Sequence, residues 1–368
     1  MSKKKPAFPI GKRLVTYLTN YSRYTKLPIL YQDLLRFVGS IVVYDQNQED
    51  TLWVRVYFAD HERDEIDYGL KKIYAILHSD GTESIIPHLS IDAIDYCTFG
   101  NSKPFRIKVR NVINDNFTYF YVKKADASRV YGLELEHMLS PYNLHFLVYQ
   151  DTMIEEHISG IPGDVFIDTM LDGLKPHEKS QIAKEFVKFN ERCMIRLLGD
   201  MRSYNYVVIP IHDFDHVEYK IRAIDFDQQS YEGRLIIYRP QFFKENNPMV
   251  SLVKDRLPAS SVEQYKIEER SITAKRILSR EARLEQLLSV YRKDRVSTEE
   301  NVSQLSKEIY DLAIDKAFKQ AKSMGEVLTF ALDFVNPESA QKFVEKGWDE
   351  ERQMYYYLVY FNKEQGGN

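Results

Sequence analysis

Three oxygen-bearing side chains, Asp200, Asn205 and Asp225, stand where the chain enters and leaves a pair of short apolar strands, in the stretch LLGDMRSYNYVVIPIHDFDHVEYKIRAIDFDQQ. Tyr206 to Ile211 has strand character, HDFDHV is a polar turn, and Tyr219 to Ile224 predicts a second strand. A hairpin turning near Asp215 sets the start of the first strand against the end of the second, so Asn205 comes to lie beside Asp225. Asp200, five residues before Asn205, sits on the loop leading in. Two carboxylates and an amide in one place repel unless a cation fills the gap. Oxygen donors select a hard ion such as Mg²⁺, which keeps waters and takes the rest of its shell from substrate phosphates.

The segments that must position these residues follow from periodicity. Residues 26–38 predict a short helix, SIVVYDQ and LWVRVYFA predict strands, and DEIDYGLKKIYAILHS places Ile66, Leu70, Ile73 and Leu77 on one helical face before the Asp80-Gly81 turn. From about residue 90 the pattern becomes strand, strand, strand, helix, strand, strand: AIDYCTF, FRIKVRNV, FTYFYVKK, a helix from Ala127 to Leu139, LHFLVYQ and TMIEEHI. That order suits an antiparallel sheet with one helix laid on it. From about residue 164 helices dominate, first FIDTMLDGL and KSQIAKEFVKFNERCMIRLL, and after residue 240 SREARLEQLLSVYRK and VSQLSKEIYDLAIDKAFKQAKSM. MYYYLVYF near the end has strand character.

Composition narrows the function classes. Fifty Lys and Arg against 54 Asp and Glu give a net charge of −4, so there is no bulk attraction to nucleic acid or to an anionic membrane. Any anionic ligand must be held by a local site. Cys97 and Cys193 are too few for a disulfide framework. The opening MSKKKPAFPIGKR has no signal-peptide core and no apolar run reaches transmembrane length, which makes a reducing cytoplasm the expected compartment. The 26 Tyr and 20 Phe point first to strands and their packed faces.

Gly199-Asp200-x4-Asn205 together with Ile224-Asp225-Phe226-Asp227 resembles the catalytic loop and metal-binding strand of the protein-kinase-like superfamily, nearest its atypical, aminoglycoside-phosphotransferase-like branch. The resemblance implies an α+β, bilobed protein-kinase-like fold with an antiparallel-sheet N-lobe and a mainly helical C-lobe. It divides the chain into an N-terminal α/β extension (1–88), an N-lobe (89–158), a C-lobe (159–300) and a C-terminal helical addition (301–368). It implies ATP- and Mg²⁺-dependent phosphoryl transfer to a hydroxyl, with Asp200 as catalytic base and Asn205 and Asp225 on the metal. Lys123, with Lys124 as alternate, stands where a strand-three lysine pairs with a helix acid, Glu134 in first place and Glu136 in second. Gly100, in the FGNSK turn, is the phosphate-cradle candidate. MIEEHISGIPG resembles the hinge, where the backbone around Glu155, Glu156 and His157 would face the adenine.

Two positions depart from the family pattern. Leu198 replaces a usual His, and the hairpin between Asn205 and Asp225 is longer than typical. A catalytically degenerate module that binds a nucleotide or partner is therefore the alternative, and nucleotidyl transfer on the same fold is a third reading. The segment after Asp227 holds the position of an activation segment, with Ser230, Tyr231 and Tyr238 as hydroxyls open to phosphorylation. His212, Asp213, Asp215 and His216 offer a competing transition-metal cluster. Cys97 and Cys193 read as small buried apolar residues.

Overall fold

The computed structural model describes residues 5–335 except 46, 79–80, 101, 214–215 and 314–315. The MYYYLVYF segment lies outside the described residues. The described residues divide into two compact units, the first made of 5–137 with 142–158 and the second of 138–141 with 159–335. The architecture is α+β.

In the first unit the elements run α1 (Lys12–Asn20), α2 (Tyr31–Leu34), β1 (Gly39–Tyr44), β2 (Asp50–Tyr57), α3 (Asp60–His78), β3 (Leu89–Cys97), β4 (Phe105–Asn111), β5 (Phe117–Lys124), α4 (Ala127–Leu139), β6 (Phe146–Tyr149) and β7 (Thr152–Glu156). The strands form one seven-stranded sheet in the order β1-β2-β3-β4-β5-β7-β6, antiparallel throughout. The strand–helix–strand order expected for residues 90–155 is present. Strands from the segment read as a separate extension continue the same sheet, because Trp53 to Arg55 of β2 pairs with Asp95 to Cys97 of β3. The helix expected over 26–38 is a single turn, Tyr31–Leu34, begun by the Asp33 carboxylate on the Leu30 N–H.

Alternation gives the sheet two unlike faces. Ile107, Phe120, Val122 and Ile154 point to one side, where Ile66, Leu70, Ile73 and Leu77 of α3 cover them in a continuous apolar core. The 3-4 spacing of the α3 residues is what lets one helix seal that face. Arg106, Tyr119, Tyr121, Lys123 and Glu155 are the alternate residues and point to the other side.

The second unit contains β8 (Ile161–Pro162), α5 (Gly163–Thr169), α6 (Pro176–Ile195), β9 (Tyr206–Asp213), β10 (His216–Ala223), α7 (Asn247–Arg256), α8 (Ala259–Ser279), α9 (Glu281–Tyr291), α10 (Glu299–Ala313) and α11 (Met324–Val335). Its strands form a three-stranded sheet in the order β10-β9-β8, against which α5 and α6 pack. Long α6 opens with Pro176 and with Glu178 accepting the Lys175 N–H at 2.7 Å. Its buried Arg192 binds Glu185 at 2.7 Å, Glu269 of α8 at 3.1 Å and the Ile221 carbonyl of β10 at 3.0 Å, tying two helices to the hairpin.

Gly163 follows β8, at a close approach. A Cβ there would lie 2.2 Å from Tyr206 Cε2 and 2.5 Å from the Ser203 carbonyl oxygen. Gly163→Ala must push the start of β9 away, and we expect a loss of about 1–3 kcal/mol in urea unfolding. A change within ±0.5 kcal/mol would show that this contact yields freely.

Candidate functional site

The hairpin forms as its sequence requires. Tyr206 pairs with Ala223 at one end and Asp213 with His216 at the other. One more bond, from the Ile224 N–H to the Asn205 carbonyl at 3.0 Å, carries the pairing to the open end. Asn205 therefore sits opposite Ile224, one residue from Asp225. Phe226 is buried and anchors the turn beyond, and the Asp227 N–H donates to Asp225 Oδ1 at 3.1 Å.

The loop between α6 and β9 fixes Asp200 by its backbone. Its N–H donates to the Ile237 carbonyl at 3.0 Å and the preceding Gly199 N–H to the Gln228 carbonyl at 3.2 Å. Asp200 has φ +59°, a left-handed conformation that Asp tolerates better than branched residues. Its carbonyl accepts the Arg202 N–H at 2.8 Å and the Asn205 Nδ2 at 2.7 Å. The Asn205 amide is thereby oriented with its nitrogen committed, leaving Oδ1 as its acceptor face. The sequence brings Asp200 and Asn205 together, with Asp225 close enough that its charge raises the Asp200 pKa.

Arg202 is the residue that sequence reasoning missed, although it lies between Asp200 and Asn205. Its Nε holds Asp200 Oδ1 at 2.9 Å, its Nη1 holds Glu245 Oε1 at 2.7 Å, and its guanidinium lies 4.9 Å from the centre of the Phe243 ring. The cation lying against Asp200 is thus a side chain. Next to Glu245, fully buried Asn246 donates to the Met201 and Pro240 carbonyls and accepts the Tyr206 hydroxyl. Burial raises the Asp200 carboxyl above the usual range. Arg202 opposes the shift, while Asp225 and Glu245 add to it.

The side chains here offer the implied metal few protein donors. Among the described residues no group of three or more His, Cys, Asp or Glu side chains is placed to hold an ion. Asn205 and Asp225 supply one amide and one carboxylate, too little for a closed protein cage. Such a pair suits Mg²⁺ that arrives with phosphates and keeps its waters. Of the competing cluster, His212 and Asp213 are exposed strand residues and Asp215 is outside the described residues.

Leu198 is 1% exposed, a core residue. Ser230 and Tyr238 are fully buried, and the Tyr238 hydroxyl donates to the Glu232 carbonyl, so neither offers a surface hydroxyl to a modifying enzyme. Tyr231 is partly exposed. Cys193 is buried as expected, whereas Cys97 is only partly so.

In the first unit Lys123 is buried and Lys124 exposed, as alternation along β5 requires of neighbouring residues. The acid at 2.6 Å from Lys123 Nζ is Glu155 of β7, which also lies 3.6 Å from Arg129 of α4. Glu134, expected in that role, accepts the Tyr17 hydroxyl at 3.0 Å and Arg23 Nε at 3.2 Å. The reason is sheet pairing: β5 and β7 run antiparallel with Tyr121 opposite Glu155, so Glu155 shares a face with Lys123. Glu136 is buried on α4. Gly100 is in the β3–β4 turn at φ +82°, which a glycine adopts freely. Glu156 ends β7, and the His157 ring lies beside Tyr121, with Nδ1 3.1 Å from the Tyr121 hydroxyl.

No helix among the described residues is long and apolar enough to cross a membrane. No protein-family model matches the chain, and no curated protein matches it.

Proposed function

We propose that this chain is an ATP- and Mg²⁺-dependent phosphotransferase of protein-kinase-like design acting on a hydroxyl acceptor, its sheet unit serving as amino-terminal lobe and its helical unit as carboxy-terminal lobe. The observation that carries the reading is the hairpin's open end, where Ile224, next to Asp225, bonds to the Asn205 carbonyl close to an Asp200 held at positive φ. Strained backbone at a carboxylate is kept where geometry matters to chemistry. The β3-β4-β5-β7-β6 part of the sheet, with α4 between β5 and β6, lends support from the other unit.

In this reading Asn205 Oδ1 and Asp225 hold Mg²⁺, which when bound neutralises the transferring phosphate. Lys123 binds the phosphate chain, as a buried ammonium whose position Glu155 fixes. Asp200 orients the acceptor hydroxyl and takes its proton, helped by the burial that raises its proton affinity. Arg202 keeps one Asp200 oxygen engaged, so the other faces the acceptor.

A second reading, a degenerate binding module, is favoured by the buried Leu198 and by the Arg202 ion pair on Asp200. Thermal unfolding with Mg²⁺ and ATP, together and separately, tests the nucleotide site common to both. At 100 times its dissociation constant a ligand adds about 2.7 kcal/mol of apparent stability. We expect a shift with ATP and Mg²⁺ together, and radiolabelled phosphate appearing in an acceptor then separates catalysis from binding. No shift under any combination removes the nucleotide site.

A further inference from the structure

The sheet face that carries Lys123 is built around a cross-strand row in which Arg55 stands opposite Asp95, Asp95 opposite Arg106, Arg106 opposite Tyr121, and Tyr121 opposite Glu155. These residues are interlocked. Asp95 accepts Arg55 Nε at 3.0 Å and Arg106 Nη2 at 2.9 Å. The Arg106 guanidinium lies 4.5 Å from the Trp53 ring centre and 5.6 Å from that of Tyr119, so both aromatic partners are already stacked on it. Tyr121, between Arg106 and Glu155, has its hydroxyl 3.1 Å from His157 Nδ1 and its ring centre 5.5 Å from Lys123 Nζ. Burial pushes the Tyr121 phenol up to about 12 and the His157 imidazole below its usual value. The phenol and the imidazole are thus each other's hydrogen-bond partner on this face.

A nucleotide whose phosphates meet Lys123 and whose base lies along the sheet must use this face, since Phe120 and Val122 turn the opposite face into the core. The first side chain it meets along β5 is Tyr121. We propose that the Tyr121–His157 pair fills the place a base would take, so that the phosphate donor is recognised through its phosphate chain with little regard to its base. This rests on the phosphotransferase reading and names its donor class as a Mg²⁺-bound polyphosphate, nucleoside or inorganic. High discrimination between similar ligands comes from buried groups that lose a partner when the wrong ligand binds. On this face the Tyr121 hydroxyl and the Asp95 carboxylate already bond within the protein.

Calorimetric titration of the full chain, in Mg²⁺, with ATP, GTP and inorganic tripolyphosphate tests the proposal. The three dissociation constants are expected to agree within roughly threefold, well short of what hydrogen-bond readout of a base supplies. Tyr121→Ala opens the face and should make ATP bind about tenfold or more tighter than tripolyphosphate, through base burial. Tyr121→Phe, which keeps the ring and removes only the bond to His157, provides a variant of undisturbed packing and should lie between. A wild-type preference for ATP of more than about tenfold over both other ligands would overturn the inference while leaving the phosphotransferase reading intact. Binding of none of the three would overturn that reading, and this inference with it.

Discussion

Asp225→Asn is expected to lose metal-dependent nucleotide binding, while Asp200→Asn keeps that binding and loses turnover by about 10²–10⁴-fold, the usual weight of a positioned general base. The division follows from position. Asp225 leaves the end of β10 beside Asn205, whose amide nitrogen is spent on the Asp200 carbonyl and whose oxygen is oriented away from it. Replacing the carboxylate by an amide at this place removes the one formal charge the pair offers a cation. Asp200 contributes its backbone carbonyl to the loop, which Asn retains, and its carboxylate to Arg202, which Asn retains only as a neutral partner. Calorimetry with ATP and Mg²⁺ on both variants separates the roles, and equal losses would show that they are not divided in this way.

The same substitution has a stability consequence of opposite sign. Burial raises the folded pKa of Asp200 above its unfolded value, so the folded protein holds the proton more tightly. The stability this contributes is full below the unfolded pKa and is lost as pH rises through the folded pKa. At neutral pH the ionised carboxylate weighs against folding. Asp200→Asn should therefore be slightly more stable than the parent near pH 7 and show less decline between acid and neutral pH, the trade expected of a group kept for chemistry. Urea midpoints at several pH values measure it.

How much of this was legible in the sequence depends on the range of the interaction that decides each feature. Ile66, Leu70, Ile73 and Leu77 fixed α3 by local periodicity, and all four are in the core. The hairpin was legible because two apolar runs flank one polar turn, and the register that joins Asn205 to Ile224 follows from where that turn lies. Glu155 was not recognised as the partner of Lys123, because that contact depends on β5 pairing β7 across 32 residues of sequence. Glu134 goes to Tyr17 and Arg23, which are more than a hundred residues away in the chain. The polar positions of FRIKVR look like a solvated strand face, yet the Arg106 guanidinium lies over the rings of Trp53 and Tyr119, from two other strands. Arg202 was in plain view, but its role depends on Glu245, 43 residues on.

The second large effect is expected at the buried ion group of the first unit. Glu155→Ala should cost about 3–5 kcal/mol, because it removes from low dielectric the carboxylate that a buried ammonium and a buried guanidinium share. The side chains of Glu155, Lys123 and Arg129 are 6%, 10% and 1% exposed, so water cannot take over from the missing carboxylate. Lys123→Met should cost less, since Glu155 keeps Arg129 at 3.6 Å and the methionine stem fills the same volume. Lys124→Met, on an exposed position one residue along, should stay within about 0.5 kcal/mol of the parent. The order is therefore Glu155→Ala, then Lys123→Met, then Lys124→Met, and it can be read at Trp53, which stacks on Arg106 in the same sheet. With Trp348→Phe as background, Trp53 is the only tryptophan left to fluoresce, so urea titration reports the first unit by itself. Nucleotide affinity measured on the folded fraction of each variant then adds the functional half: Lys123→Met should weaken binding and Lys124→Met should not. A Lys124 variant as damaging as the Lys123 one, in either readout, would mean that the buried ammonium has no special part in the fold or in the phosphate site.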